Sequence, residues 1–186
     1  DCYRGINELE LSDFNHVNIL VGDNNTGKTS VMEIICALKK PLSVDVWNEI
    51  AKKKSNSSSG IMFYNAYRNI FPIDKEQVVR FEGDFVENGE ISVCMTAEEY
   101  KTTVTEREKN RINGLMRTGS QNVADIYVDT VVMEITIQAN HNTVEFEIYD
   151  FQRKPPRNLI SEKYLENIKP KFKENIVFLE PRNGLE

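Results

Sequence analysis

Histidine and cysteine are scarce in this sequence, and a basic excess is missing altogether. The 2 histidines, His16 and His141, lie far apart, each at a turn. Neither has an acid or cysteine at ligand spacing, which argues against a histidine-based metal cluster or nucleophilic triad. The 3 cysteines, Cys2, Cys36 and Cys94, have neither paired nor metal-like spacing. Cys36 falls within an apolar helical pattern, the ordinary place for a small buried thiol. Lys and Arg number 23 against 29 Asp and Glu, a net charge of -6, so there is no global electrostatic pull toward nucleic acid. No apolar run approaches the roughly 18 residues that a membrane-spanning helix needs. A reduced, cytoplasmic setting is the expectation. The 186 residues, 40% of them hydrophobic, suffice for one sizeable core in one or two domains.

What the sequence does contain is a glycine-rich segment in a telling context. Ile6, Leu9 and Leu11 suggest a first short strand, with a turn at Ser12-Asp13. Val17-Asn18-Ile19-Leu20-Val21 reads as a strand covered on both faces. It runs directly into Gly22-Asp23-Asn24-Asn25-Thr26-Gly27-Lys28-Thr29, a match to G-x-x-x-x-G-K-[ST]. A helix is expected from Gly27 or Lys28, with Val31, Ile34, Ile35 and Leu38 as its apolar stripe and Pro41 marking its end. The two glycines permit a tight turn and close approach to anionic oxygens. Backbone amides and the helix N-terminus then form an anion cradle. Asp23, Asn24, Asn25 and Thr26 complete the cradle. Lys28 is the candidate for the β- and γ-phosphates and transition-state charge, Thr29 for Mg²⁺, and Ser30 for nearby phosphate oxygens. The implied cofactors are ATP and Mg²⁺.

Other candidates carry weaker signals. Gln152 could approach Mg²⁺ or water from a loop, against the alternative of a solvated glutamine. Glu180 ends the apolar run Ile176-Val177-Phe178-Leu179, as a catalytic carboxylate would, but a single acid followed by Pro181 is a poor match; Asp150 fits less well. Arg153, Lys154 and Arg157 form a small basic cluster, for which ordinary surface charge is the simpler reading.

The remaining chain is read as follows. Ser43 caps a short helix to about Ile50, Lys52 to Gly60 is a solvated loop, and a third helix covers Ile61 to Ile70 with Phe63, Tyr64 and Tyr67 as packing aromatics. From Val78-Val79-Arg80-Phe81 the period becomes two. Asn88-Gly89 signals a type I′ hairpin. Thr96 to Gln121 reads as loop, with a short helix near Glu98-Tyr100 or Glu106-Arg111. Val131 to Ile137 and Val144 to Ile148 alternate around the turn Ala139-Asn140-His141-Asn142. Pro155-Pro156 breaks structure, and a short helix with Leu165 and Ile168 precedes the closing strand. The expected fold class is α/β, a P-loop NTPase core with an antiparallel β subdomain. Its divisions are an N-terminal α/β portion over 1–75, a β-rich portion over 76–150 and a return to the core over 151–186.

Tyr3-Arg4-Gly5-Ile6, Leu9-Glu10-Leu11, the run Val17 to Ser30 and the helix start Val31-Met32-Glu33-Ile34-Ile35 together resemble the opening of ABC-class ATPases of the SMC/RecF/OLD-like group, within the AAA-type P-loop ATPases. Asn24 matches the Asn of that group's G-x-N-x-x-G-K-[ST] loop, and Lys28 and Thr29 match its phosphate and magnesium residues. The resemblance covers about Tyr3 to Leu38. It implies an ATP-binding head that homodimerises, acts in DNA repair, DNA processing or phage defence, and often works with DNA and a Toprim nuclease domain. A Leu-Ser-Gly-Gly-like signature, a Walker B strand with paired acids and a switch histidine are not found, so the chain is expected to be the N-terminal piece of a larger head with weak hydrolysis of its own. Two alternatives stay open: another P-loop GTPase or kinase, although the Asn-Lys-x-Asp base-reading motif is missing, and a nucleotide-binding interaction module without turnover.

Overall fold

The computed structural model describes residues 3–157, apart from 5, 7, 15–17, 24–25, 54–61, 73–75, 86–88 and 116–125. Three helices come first: α1 (Lys28–Leu38), α2 (Val44–Lys52) and α3 (Phe63–Arg68). Strands β1 (Val78–Phe85) and β2 (Gly89–Thr105), helix α4 (Glu106–Ile112), then β3 (Tyr127–Ala139) and β4 (Asn142–Tyr149) follow. The four strands form one antiparallel sheet in sequential order, β1-β2-β3-β4. The fold is mixed α/β.

Alternation decides which sheet face is covered. Directly paired residues share a face, so Val79, Met95, Ile137 and Val144 make one row and Ala97, Ile135 and Phe146 another. All are buried. Helices α2 and α3 contribute to the same core: the ring of Trp47 lies 5.9 Å from that of Phe81, and Tyr67 meets Phe146 edge-on at 5.6 Å. Phe63, Tyr64 and Tyr67 are all buried, the packing role their spacing suggests. Asn48 ties three elements together below them. Its Oδ1 accepts from the Tyr67 hydroxyl at 2.9 Å and its Nδ2 donates to the Pro156 carbonyl at 2.9 Å. Burial of that hydroxyl pushes its pKa well above the usual tyrosine value, which keeps it a donor.

Several sequence expectations are corrected. Residues 18–23 are in no strand, and Ile19 and Val21 are 83% and 84% exposed. An apolar run becomes a covered strand only when neighbours pair with its backbone, and the described residues of this run are in no ladder. Likewise Leu9 and Leu11 are exposed and outside any strand; among the described residues of the first segment, Tyr3 and Ile6 form an isolated bridge. The polar stretch from Thr96 is the second half of β2, not loop: Thr96 to Thr105 pairs in register with Thr136 to Tyr127. Of the two short helices considered there, the one at Glu106 forms. Thr105 closes a capping box with Glu108.

Ser43 does sit at the N-cap of α2, but its side chain makes no capping bond. Gly89 has φ 70°, yet it pairs directly with Phe85, so the connection is residues 86–88 rather than a two-residue Asn-Gly turn. The second hairpin turns through Asn140 and His141 as expected, with Asn140 at φ 52°. Cys36 and Cys94 are half-buried. The readings for His16, Ser55 to Gly60, the helix with Leu165 and Ile168, the strand Ile176 to Leu179 and Glu180 lie outside the described residues, as does that for Cys2.

Candidate functional site

Helix α1 begins where the sequence places it. Its N-cap is Gly27, at φ 87° and ψ 4°, a left-handed conformation that residues with a Cβ rarely adopt. Space is as restrictive as torsion there: a Cβ on Gly27 would meet Ile6 Cγ1 at 3.1 Å and Cδ1 at 3.3 Å. The first turn, Lys28-Thr29-Ser30, contains no acidic residue. Its amides have no carbonyl one turn earlier inside the helix, and no carboxylate of that turn offsets the positive end of the helix dipole.

The loop curls around the Lys28 ammonium. Nζ donates to the Gly22 carbonyl at 2.6 Å and to the Asp23 carbonyl, and reaches Thr26 Oγ1 at 3.3 Å. Thr26 Oγ1 in turn donates to the Asp23 carbonyl at 2.8 Å. Gly22, Asp23, Thr26 and Thr29 are exposed, Lys28 is half-buried and Ser30 is buried. The structure therefore brings Gly22, Asp23, Thr26, Gly27, Lys28 and Thr29 together at one helix end, with Ser30 buried beside them. Asn24 and Asn25 lie outside the described residues. Among the described residues the ammonium is held by two carbonyls and one hydroxyl, all uncharged, so an anion entering the loop would compete against neutral acceptors for its three donors.

Gln152 stands apart from this loop in its bonding. Its Oε1 accepts from the Tyr149 amide at 3.2 Å and its Nε2 donates to the Lys154 carbonyl at 2.9 Å. The side chain is buried and closes its own turn; a metal role would require that turn to open. Asp150 accepts from the Thr130 hydroxyl at 2.6 Å, and Arg153, Lys154 and Arg157 are exposed. Among the described residues no group of three or more His, Cys, Asp or Glu could hold a metal ion. No described helix is long and apolar enough to cross a membrane.

A second cluster lies behind the loop, and spacing did not single it out. Glu33, one turn beyond Thr29, is 4% exposed. Its Oε2 accepts from Arg4 Nη1 at 2.7 Å and from the Tyr3 hydroxyl at 3.0 Å. Arg4 Nη2 donates to the Ile50 carbonyl near the end of α2 at 3.0 Å. Burial holds the Tyr3 hydroxyl well above the usual tyrosine pKa, only partly offset by Arg4, so it remains a donor to Glu33. Nothing local marked the acid: helical spacing puts Glu33 on the side away from Val31, Ile34, Ile35 and Leu38, where a solvated carboxylate is the simpler reading. The buried face of α1 is instead Ser30, Val31, Glu33, Ala37 and Leu38, with Ile34 and Ile35 only half-buried.

Comparison with the curated proteins and with the solved structures gives no significant match. The profile of the AAA ATPase domain family matches residues 2–182, nearly the whole chain. That family implies use of a nucleotide together with Mg²⁺. On that match the chain belongs to the AAA ATPase domain family.

Proposed function

We propose that this loop binds the polyphosphate of ATP, and that the chain is the nucleotide-binding part of a P-loop ATPase of the ABC class, similar to the SMC/RecF/OLD-like group. The observation that carries the reading is the Lys28 ammonium, held by loop carbonyls above an acid-free helix N-terminus that Gly27 opens. In this reading Lys28 leaves the Gly22 and Asp23 carbonyls for the β- and γ-phosphate oxygens. The amides of the first turn and of the loop donate to the same oxygens. The exposed Thr29 hydroxyl is the Mg²⁺ ligand of the described set, and the metal would neutralise charge between the phosphates. Asn24 and Asn25, by their place in the motif, are the remaining nucleotide-binding positions of this reading. Gln152 is retained as a metal ligand only in a state where its turn has opened.

In the larger protein, we take ATP hydrolysis to be coupled to DNA repair, DNA processing or phage defence, through a homodimer of ATPase heads acting with DNA and a nuclease domain or subunit. The resemblance of Tyr3 to Leu38 to that group is the support for this finer assignment.

Calorimetric titration with MgATP and MgGTP, on the protein and on Lys28→Ala, tests the loop reading. Saturable ATP binding lost in the variant is expected. A strong preference for GTP would overturn the class, and binding unchanged by Lys28→Ala would overturn the site.

A further inference from the structure

We infer that Tyr3, Arg4 and Glu33, with Ile6, are positioning residues that set the aim of the phosphate loop without touching the nucleotide. The inference rests on the reading that the loop binds ATP. Tyr3 and Ile6 close a tight turn through reciprocal backbone bonds of 2.9 and 2.8 Å. That turn grips α1 at two points. Ile6 packs against Gly27, where an added Cβ would come within 3.1 Å. Arg4 and Tyr3 hold Glu33 a turn and a half further on. Lys28, Thr29 and Ser30 lie between the two grips. Arg4 then carries the constraint to α2 through the Ile50 carbonyl. Rotation or sliding of α1 would misdirect the amides of its first turn, and this bracket opposes both.

The energetics of the cluster favour a positioning role over a purely stabilising one. The Arg4 and Glu33 side chains are 4% and 3% exposed. Within that pocket Arg4 Nε and Glu33 Oε1 have no hydrogen-bond partner among the described residues. A buried ion pair that leaves polar atoms unsatisfied is a poor source of stability compared with apolar side chains of the same volume. What it does supply is direction. The guanidinium fork fixes the carboxylate on one side and a carbonyl on the other, which an apolar contact would not.

The test uses Arg4→Lys, Glu33→Gln and Tyr3→Phe, each read by MgATP affinity, thermal melting and the backbone amide resonances of residues 27–30 without nucleotide. Thr105→Ala, which weakens the distant cap of α4, controls for general destabilisation. Arg4→Lys and Glu33→Gln are expected to weaken ATP binding roughly ten-fold, less than the roughly hundred-fold that a 1 Å misplacement can cost a reaction rate, and to move the four amide resonances. Tyr3→Phe should act in the same direction and less strongly, and it decides the matter if the other two fail to fold. Thr105→Ala should lose stability while affinity and those resonances stay unchanged. Folded variants with wild-type affinity and unmoved resonances would overturn the inference. If the wild-type protein binds no ATP, the functional reading fails by itself, and the nucleotide-free resonances still decide whether the bracket aims the loop.

Discussion

Gly27→Ala is the substitution whose consequence can be worked most fully from the structure. Two costs add. The backbone at φ 87° is a left-handed conformation, which costs a residue with a Cβ about 1–2 kcal/mol. The new methyl would also lie 3.1 Å from Ile6 Cγ1, and easing that contact by shifting a packed side chain costs on the order of 1 kcal/mol. The sum is about 2–3 kcal/mol, or roughly 5–10 °C in melting temperature for a chain of this size. Gly89→Ala is the matched control. Its φ is 70°, but an added Cβ has nothing within 4 Å, so only the torsional cost of about 1–2 kcal/mol applies. Denaturant unfolding gives the two stabilities and ATP titration gives the functional effect. Gly27→Ala should lose more stability than Gly89→Ala, and it alone should lose nucleotide affinity. Equal losses of stability with affinity retained in both would refute the argument that conformation and close approach at Gly27 build the site.

Two further predictions concern the sheet and its helix. On the outer face Glu98, Glu134 and Glu147 lie directly opposite one another across three strands, and Tyr100 and Tyr149 both donate to Glu147. Glu134→Lys should raise stability by about 0.2–1 kcal/mol, with the gain shrinking in high salt; a loss of stability at low salt would contradict it. At the start of α4, bonds from the Thr105 amide and hydroxyl hold the Glu108 carboxyl below the usual carboxylate range. A lowered folded-state value means that the stabilisation is present above the unfolded pKa and lost as pH falls through the lower folded value. Nuclear magnetic resonance titration should therefore show α4 loosening under acid, and Thr105→Ala, which removes the hydroxyl bond and leaves the amide one, should weaken that dependence.

The sequence made some of this visible because the signal was local. The start of α1 followed from glycine and lysine spacing, and β3 and β4 from strict alternation at Val131 to Ile137 and Val144 to Ile148. The second half of β2 was hidden because its local signals were polar and weak, while its partners, from Thr105 with Tyr127 to Thr96 with Thr136, lie 22 to 40 residues along the chain in β3. A ladder supplies what a run such as Glu98-Glu99-Tyr100-Lys101 lacks in local preference. The converse holds at Ile19 to Val21, where an apolar run has the composition of a covered strand without being in one among the described residues. Within the candidate site, the loop from Gly22 to Thr29 was legible as a contiguous motif. The Arg4–Glu33 bracket was not, because its two halves stand 29 residues apart and neither has a spacing that names the other.

An amide-resolved titration of the protein with MgATP decides whether the loop around Lys28 is an anion cradle. Saturable shifts are expected, largest at Gly27, Lys28 and Thr29 and absent in Lys28→Ala. Saturable binding whose largest shifts fall elsewhere, with those three amides unmoved, would contradict it.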